Sequence, residues 1–587
     1  MDNEKRILLA VALSIAVLFS YQYLFTPTQK KVLSNPALTA EQPQAPAVVA
    51  QPQTKIETIQ TALQMQKQTP LAVAGRDIAV DTSLFTTRFS QTTAGPASFL
   101  LHNYKGYLDP SAAERLVKKF FPGQTPAPAD TDQQYKELIH ARTAQELPLR
   151  TLFIDTSSAI SGTELWQVNQ NALQLDDKTQ EGAITFYQQD PQGLKLSKQF
   201  TFRQQDYKIG LLLTLKNDAA SPRTGTPVIE WKAHVPNQQS GGFFSNDTSN
   251  VAQFTYLLKD KVVKQDLAKI KEETPIEGDI LWTAIEEKYF ISALLLQDQK
   301  PAQVRVGKTP DGMVIYQVLF PATTLQPGQE AQYRMQLYMG PKDMDLMAQQ
   351  NAHLEKTLDF GWFDIIAKPL LMCLKFFYGF LGNYGLAIIL LTIIIKILFW
   401  PLTHKSFESM KGMQKIQPEL TALKEKYKDN KEEFARQQLS LYKKYNVNPL
   451  SGCLPILIQI PVFIALYNAL MYSIELRHAS FVSFWINDLS AKDPTYIAPI
   501  IMGLSQFLQQ KMTPSTSMDP MQAKMMLFMP LVFTFMFLSF PSGLVIYWLV
   551  NNVISIAQQY YINNKISVAG GKECSTSKSQ PKQLKKQ

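Results

Sequence analysis

Residues 384–402, with the sequence YGLAIILLTIIIKILFWPL, are long enough to cross a lipid bilayer, and Lys396 is the one charged side chain among them. A charge at the centre of such a helix costs roughly 2.5–3.5 kcal/mol on insertion scales, so it usually faces a wet cavity or a polar partner. Thr392 lies one turn earlier and Thr403 about two turns later, so one polar stripe runs along the helix. The stretch predicts a hydrophilic groove inside a membrane protein. Alternatively, Lys396 reaches the interface, because Pro401 marks the helix end nearby.

Other apolar stretches of spanning length occur at residues 7–25, 449–472 and 495–512. Residues 522–561 form a longer apolar run, and as a single helix it would reach about 60 Å, twice the ~30 Å hydrocarbon core. This run therefore predicts two spans, with the turn at Pro541-Ser542-Gly543. The total is six spans.

The basic residues collect in two regions. Residues 403–448 carry ten Lys/Arg against six Asp/Glu, and residues 562–587 carry six Lys against one Glu. In contrast, residues 26–383 carry 35 basic against 36 acidic residues. Positive loops stay in the cytoplasm, so both termini are predicted inside and residues 26–383 outside, in the periplasm.

Between residues 75 and 340, short runs of alternating apolar and polar residues are bounded by Gly, Pro, Asn and Asp, which predicts an antiparallel β-sandwich. The runs lie at residues 183–188, 194–202, 302–306, 313–320 and 331–338. The fold class is therefore a polytopic α-helical membrane protein with six spans, N-in and C-in, and a large periplasmic antiparallel β-sandwich domain.

Composition places the predicted boundaries of the remaining parts. They are an uncleaved anchor at 1–25, a flexible Pro/Gln-rich linker at 26–75, the sandwich with a closing helix (342–358) at 76–358, an amphipathic interfacial helix at 359–383, a five-span core at 384–562 with a cytoplasmic helical hairpin at 403–448, and a basic tail, expected to be disordered, at 563–587.

Several predicted spans carry polar side chains. Trp548, Asn552, Ser555 and Gln559 recur at spacings of four, three and four, which places them on one helical face, and Tyr547, Asn551 and Gln558 widen it. The span at 495–512 adds Ser505, Gln506, Gln509 and Gln510, and the span at 449–472 adds Gln459 and Pro461. Single Asn or Gln residues often only join helices. Four polar-faced helices together with Lys396 favour a shared cavity.

The loop at 403–448 predicts two helices, at 405–428 and 431–445, that turn at Asp429-Asn430, with Pro418 kinking the first. Met410, Met413 and Ile416 belong to an apolar stripe among lysines. Such a stripe is most often the seam of a hairpin, but Met-rich surfaces also suit varied apolar clients. The tail, rich in lysine, fits ribosomal RNA or anionic lipid, and its sequence does not separate the two.

The chain lacks a phosphate-binding GxxxxGK[ST] loop, an HExxH, a GxSxG and a paired-Cys motif. His102, His140 and His234 have no ligand spacing, so we expect no metal, no cofactor and no catalytic residue. The protein is predicted not to be an enzyme.

Residues 359–561 resemble the bacterial YidC membrane-protein insertases, relatives of the mitochondrial and chloroplast oxidase-assembly insertases. The motifs that carry the resemblance stand in the family's order: DFGWF (359–363), GNYGLAIILLT (382–392), NPLSGCLPILIQIPVFIALY (448–467), FWINDLSAKDP (484–494), DPMQAKMMLFMP (519–530) and FPSGLVIYWLV (540–550). The N-terminal anchor and sandwich resemble the Gram-negative form more loosely.

This resemblance implies a membrane protein insertase and chaperone, active alone or with the Sec translocon. Its groove would receive a client's polar outer segment near Lys396 and Thr392, while the client's apolar segment slides past Gln459, Tyr547 and Trp548 into lipid. The hairpin would receive nascent inner-membrane proteins, and the tail would dock the ribosome. A monomer is expected to suffice. The family commonly has arginine at the position of Lys396 and tyrosine at that of Trp548.

Two other functions compete. A small-solute transporter or channel would favour internal repeats and paired broken helices, and the six spans are dissimilar. A periplasmic glycan- or protein-binding module on an anchor would place the function in the sandwich, so deleting that domain discriminates.

Overall fold

The computed structural model describes residues 78–573 except 121–134, 142, 156–164, 236–251, 297–299, 429, 446, 448–453 and 513–519. All of these belong to one compact unit, Lys67–Gln587. The predicted N-terminal anchor, the linker and the last part of the basic tail lie outside the described residues.

The first part of the chain is built from β-strands, as the alternating pattern predicts. Inward residues are buried at every second position, as in β9, where LKLSKQFTFR alternates between buried and more exposed side chains. The strands are β1 Ile78–Asp81, β2 Phe85–Ser90, β3 Gly95–Lys105, β4 Tyr135–Glu137, β5 Arg150–Asp155, β6 Gln167–Val168, β7 Ala172–Gln174, β8 Glu181–Gln189, β9 Leu194–Arg203, β10 Lys208–Asn217, β11 Arg223–Ala233, β12 Gln253–Leu258, β13 Lys261–Asp266, β14 Thr274–Ile276, β15 Ile280–Glu286, β16 Phe290–Leu295, β17 Gln303–Lys308, β18 Val314–Leu319, β19 Thr323–Leu325 and β20 Glu330–Pro341.

The described strands form three sheets, with β13-β12-β15-β16-β20-β10-β9-β8-β6 as the largest. The smaller sheets run β4-β3-β2-β1-β7 and β14-β17-β18-β11-β19, with β5 added on β11. Neighbouring strands pair antiparallel, apart from β1 with β7. Phe89 contacts Phe200 of the large sheet at a ring distance of 4.8 Å, and Tyr316 contacts Phe254 at 5.0 Å. These contacts join both smaller sheets to the large one in a layered β-domain.

The segment after β20 differs from the single closing helix predicted at 342–358. A short helix occupies Met344–Ala348 and a 3-10 turn occupies Leu354–Thr357. Between them Asn351 and His353 adopt positive φ, at 55° and 57°, which an α-helix does not allow. The apolar residues of this segment therefore belong to two short helical elements and not to one continuous helix.

The C-terminal part is helical. Its helices, numbered after α1 (Ala112–Phe120) and α2 (Met344–Ala348) of the β-domain, are α3 Asp364–Leu381, α4 Tyr384–Leu398, α5 Trp400–Lys415, α6 Gln417–Lys426, α7 Lys431–Lys444, α8 Leu454–Tyr472, α9 Ile497–Met512, α10 Pro520–Phe537 and α11 Ser542–Glu573. The predicted turn at Pro541-Ser542-Gly543 separates α10 from α11. Helix α11 continues through Glu573, so the prediction that the chain loses structure from residue 563 is wrong up to that point.

The stretch at 384–402 is not one straight helix. Helix α4 is capped by Asn383, whose Oδ1 accepts from the N–H of Leu386 at 3.1 Å, and it ends at Leu398. Pro401 has no N–H and its ring conflicts with the preceding turn, so α5 starts in a new direction, bent by 61° from α4. Among the described residues no single helix satisfies both the length and the hydropathy expected of a membrane span, whereas α4 and α5 do so together.

The two turns predicted on the outer side of the membrane lie against each other. The Ser542 hydroxyl donates to the carbonyl of Ala491 at 2.8 Å, and the N–H of Gly543 donates to that of Leu489 at 3.0 Å. Loop 473–496 also contacts the β-domain, since Arg477 Nη2 donates to the Lys105 carbonyl at 2.8 Å. Lys375 of α3 adds ion pairs with Asp345, at 2.5 Å, and with Glu475, at 3.2 Å.

Glu287 makes the stability of the β-domain depend on pH. Burial by itself raises the pKa of Glu287, but Lys136 at 2.8 Å and His140 at 3.4 Å lower it to about 2. An unfolded glutamate titrates near 4.3, so this stabilisation is complete above roughly pH 4.3 and is lost as the pH falls toward 2. Because 31% of the Glu287 side chain is exposed, we expect it to contribute only about 1–2 kcal/mol to the free energy of unfolding.

Glu287→Gln is therefore expected to destabilise the domain at pH 7 and to flatten the fall of its thermal midpoint between pH 5 and 3. Thermal unfolding of the purified protein across this range measures both effects. Glu272→Gln, at an exposed position, is the control. If the thermal midpoint of Glu287→Gln falls as steeply at low pH as that of the wild type, other carboxylates cause the loss of stability in acid.

Candidate functional site

Lys396 is buried near the C-terminal end of α4, with 8% of its surface exposed. Its Nζ donates to the Ser555 hydroxyl of α11 at 2.7 Å, and that hydroxyl donates to the Asn551 carbonyl at 2.8 Å. No described carboxylate lies within 4 Å of Nζ. The ammonium thus has one neutral partner and keeps two N–H donors for another acceptor.

A small pocket, with a cavity volume of about 20 Å³, opens beside Lys396. The bend after α4 creates it, because α5 leaves at an angle and α8 closes the other wall. Its lining is apolar except for an ammonium, a hydroxyl and an amide, and consists of Ile395, Lys396, Phe399, Leu402, Thr403, Gln459 and Val462.

Gln459 connects the pocket to α11. Its Nε2 donates to the Tyr547 hydroxyl at 3.3 Å and to Asn551 Oδ1. On the neighbouring side of the pocket, Gln558 Nε2 donates to the Thr403 hydroxyl at 2.6 Å. The structure therefore joins Lys396 to Ser555 and Gln459 to Tyr547, and it places Lys396 and Gln459 in the lining of one pocket.

The remaining predicted residues of α11 face a different helix. Asn552 Nδ2 donates to the Ser505 hydroxyl of α9 at 3.1 Å, and Trp548 Nε1 donates to Gln506 Oε1 at 3.2 Å. Ser505 in turn donates to the Met502 carbonyl. The single polar face inferred for α11 is thus divided, and Asn552 and Ser505 have the role of joining helices.

Three more predicted positions lie outside the pocket lining. The Thr392 hydroxyl is buried and donates to the Ile388 carbonyl of its own helix at 2.7 Å. Pro461 lies inside α8, where its missing N–H leaves the carbonyl one turn earlier without a helical partner. Gln509 is half-buried on α9, one turn after Ser505.

Aromatic rings pack around Trp548, at the edge of this region. The Trp548 ring contacts Phe463 at 4.8 Å and Phe537 at 5.4 Å, so Trp548 joins α8, α10 and α11. Beyond them the outer helix faces carry exposed apolar side chains, among them Leu398, Ile460, Leu504, Leu531 and Phe535. An apolar surface of this extent is typical of contact with lipid.

The hairpin predicted at 403–448 has three helices, because the first predicted helix breaks at Ile416, two residues before Pro418. Met410 and Met413 are half-buried on α5. Ile416 is 1% exposed, so its side chain stabilises the hairpin instead of facing a client.

The sequence analysis placed Asn551 and Gln558 on the polar face of α11 and Thr403 on the polar stripe that includes Thr392. The structure joins Asn551 to Gln459 and Gln558 to Thr403. Residues three and four apart share a helical face, and Tyr547, Asn551, Ser555 and Gln558 follow that spacing. The pairing of Gln506 with Trp548 depends on the packing of α9 on α11, which spacing does not give.

Two family models match the chain. The model described as 60Kd inner membrane protein matches residues 376–569, and the one described as YidC periplasmic domain matches residues 127–373. The first covers the helices of the groove, and the second covers most of the β-domain and all of α2.

Close relatives extend over nearly the full length. A membrane protein insertase YidC of Geotalea uraniireducens (strain Rf4) is 41% identical over 564 residues, which covers 96% of this chain and 99% of the relative. One of Citrifermentans bemidjiense is 40% identical over 567 residues, with 96% and 100% covered. A crystal structure titled as an active YidC insertase with the first transmembrane domain resolved is 18% identical, with a TM-score of 0.35 and coverage of 86% and 98%. The chain belongs to the YidC family of membrane protein insertases, which are inner-membrane proteins with a periplasmic domain.

Proposed function

We propose that this insertase transfers the polar outer segment of a client through the pocket beside Lys396, while the client's apolar segment passes along α8 into lipid. One observation carries the proposal. Lys396 is a buried cation with no described carboxylate partner, and it borders a pocket whose other walls are mostly apolar. Such a site lowers the cost of burying an acidic or polar segment, because it supplies a counter-charge and hydrogen-bonding groups before the client arrives.

The driving force for insertion is the transfer of the client's apolar side chains from water to lipid. This transfer contributes about 25 cal/mol per Å² of apolar area removed from water, so a single span of ordinary composition needs no nucleotide. The exposed apolar side chain of Ile460 on α8 offers a path at the protein–lipid boundary. The mechanism is therefore non-enzymatic, with no cofactor and no metal.

The proposed topology has six spans with both termini in the cytoplasm. The hydrogen bonds between loop 473–496 and the turn before α11 support it, because they require both segments to lie on the same side of the membrane. In the proposed topology both lie on the outer side. The domain organisation follows the boundaries predicted above, with the β-domain in the periplasm and α3 along the membrane surface. Lys368 of α3 pairs with Asp364 at 2.8 Å, while Trp362, Ile365 and Phe376 are exposed, as in an interfacial helix.

The partners of the insertase are nascent inner-membrane proteins. We place their first contact at the half-buried Met410 and Met413 of the hairpin. The Sec translocon, the ribosome at the basic tail, and anionic lipids are further proposed partners. One copy contains the whole pocket, so the monomer is proposed as the active unit.

Insertion of a short single-span client into sealed proteoliposomes that contain only this protein tests the proposal, with a photo-crosslinking amino acid at Val462. We expect protease-protected client without ATP, and a crosslink from Val462 to the client. The same crosslinker at Leu504, which is 67% exposed on α9, is the control and should label lipid much more than client. Protection no better than in empty liposomes would reject autonomous insertion. Equal crosslinks from both positions would reject the pocket as the path.

A further inference from the structure

Helix α1, Ala112–Phe120, is an amphipathic helix of the β-domain that leaves its largest apolar side chains exposed. None of its nine side chains is buried, and Leu116 and Phe120 are 58% and 75% exposed. Residues four apart share a helical face, so these two side chains form one apolar surface. A helix of this length is marginal in water without tertiary packing, which indicates that something outside the described chain covers the surface.

The charges of α1 have defined positions relative to that surface. At about 100° per residue, Arg115 and Lys119 both lie along one edge of the face of Leu116 and Phe120. Lys118 lies on the opposite side, where its Nζ pairs with Glu114 at 2.9 Å. Two basic residues without a salt bridge to any described carboxylate thus border the exposed apolar strip. This pattern is typical of helices that lie in a membrane interface.

The position of α1 points to the same partner. The N–H of Ala113 donates to the Phe484 carbonyl at 2.9 Å, and Asn487 Nδ2 donates to the Asp109 carbonyl at 2.7 Å. Phe484 and Asn487 belong to loop 473–496, which joins α8 to α9. A loop between two spans lies at the bilayer surface, and the Phe484 side chain is itself 67% exposed. The apolar strip of α1 therefore begins beside an exposed aromatic at membrane level.

We propose that α1 lies in the outer leaflet of the inner membrane. Leu116, Phe120 and Phe484 enter the boundary between headgroups and acyl chains, and Arg115 and Lys119 bind anionic phospholipid headgroups. The inference rests on the outer position of loop 473–496 in the proposed topology. Near an anionic surface each basic residue raises membrane partitioning about fivefold, so the pair favours the bound state by roughly 25-fold. The helix ties the β-domain to the bilayer next to the spans.

The test uses the full-length protein with Cys373, Cys453 and Cys574 replaced by serine, in vesicles of phosphatidylethanolamine and phosphatidylglycerol. An environment-sensitive fluorophore is placed at Phe120→Cys or, as the matched control on the opposite face, at Lys118→Cys. Lipids brominated near the top of the acyl chain then quench any label that enters the interface. We expect strong quenching at Phe120→Cys and little at Lys118→Cys, with most of the quenching at Phe120→Cys lost after Arg115→Gln and Lys119→Gln.

Equal quenching at both positions, or none at either, would overturn the proposal. An emission shift at Phe120→Cys that grows with the protein-to-lipid ratio, without bromine quenching, would assign the face to a second copy of the chain instead. A label at Lys492→Cys, an exposed position of the same loop, separates these failures from a wrong topology. If a membrane-impermeant quencher added outside right-side-out vesicles does not reach it, the outer position of the loop is wrong.

Discussion

Replacing Lys396 with methionine is expected to lower insertion of a client with an acidic outer segment by about tenfold or more. Loss of one close charge contact in a poorly hydrated site costs roughly 1.4 kcal/mol or more, and 1.4 kcal/mol corresponds to tenfold. Lys396→Arg keeps the positive charge and should retain most of the insertion. Protease protection of the client in proteoliposomes, measured as an initial rate, gives the comparison.

The structure indicates that Lys396→Met will fold. Methionine approximates the length of lysine, and Ser555 remains satisfied because its hydroxyl donates to the Asn551 carbonyl at 2.8 Å. Removing an unpaired buried charge also removes a desolvation cost. The substitution therefore tests function with little change in stability, which thermal unfolding of the purified variant verifies.

Two controls separate the pocket charge from net charge. Lys405→Met removes a positive charge from an exposed position of α5 and should leave insertion unchanged. A client whose outer segment carries no acidic residue should depend much less on Lys396 than the acidic client does. If Lys396→Met inserts the acidic client as fast as the wild type, Lys396 only extends toward the interface.

The alternation of apolar and polar residues correctly predicted the position of the β-domain in the sequence. The five strands predicted from alternation correspond to β8, β9, β17, β18 and β20, each shifted by three residues or fewer at its ends. Alternation works here because each of these strands buries one face, so burial and spacing have the same period. The division into three sheets depends on which strands pair over long sequence distances, as β10 with β20 does, and spacing carries no such information.

In the helical part, apolar content predicted the helices but not which partners their polar residues choose. Ser555 and Asn552 lie three residues apart on the predicted face of α11, yet the first contacts Lys396 and the second contacts Ser505. The choice depends on where α4 and α9 cross α11, and that is a property of tertiary packing. The bend after α4 was missed because the apolar run continues through it, although Pro401 indicated a helix end.

The largest effect on stability is expected at Lys198, in the middle of β9. Its side chain is 1% exposed, and Nζ donates to the carbonyls of Thr93 at 2.6 Å, Leu149 at 2.5 Å and Ala94 at 3.4 Å. Burial lowers the pKa of Lys198 well below its usual range. The three carbonyls nevertheless match the three N–H donors that only the ammonium form provides. The Trp166 ring, 4.9 Å away, adds a cation–π contact.

Lys198 also holds strained backbone. Ala94 and Leu149 both have positive φ, at 46° and 61°, a region that costs non-glycine residues about 1–2 kcal/mol. The two segments meet closely, since a Cβ at Gly95 would lie 2.2 Å from the Pro148 carbonyl oxygen. Two chain segments with unfavourable conformations are therefore fixed by one ammonium that binds carbonyls of both.

We expect Lys198→Met to destabilise the β-domain by about 3 kcal/mol, because it leaves buried carbonyls without donors at roughly 1–3 kcal/mol each, partly offset by the lost desolvation of a charge. For a domain of this size that lowers the thermal midpoint by roughly 5–10 °C. Lys195→Met on the same strand is the matched control. Lys195 is half-exposed and its ion pair with Asp218 lies at the surface, so we expect this variant to lose less than about 1 kcal/mol of unfolding free energy. Equal midpoints for the two variants would show that the carbonyls find other donors. A more stable Lys198→Met would show that burying the charge costs more than its hydrogen bonds return, and the strained backbone at Ala94 and Leu149 would then need another cause.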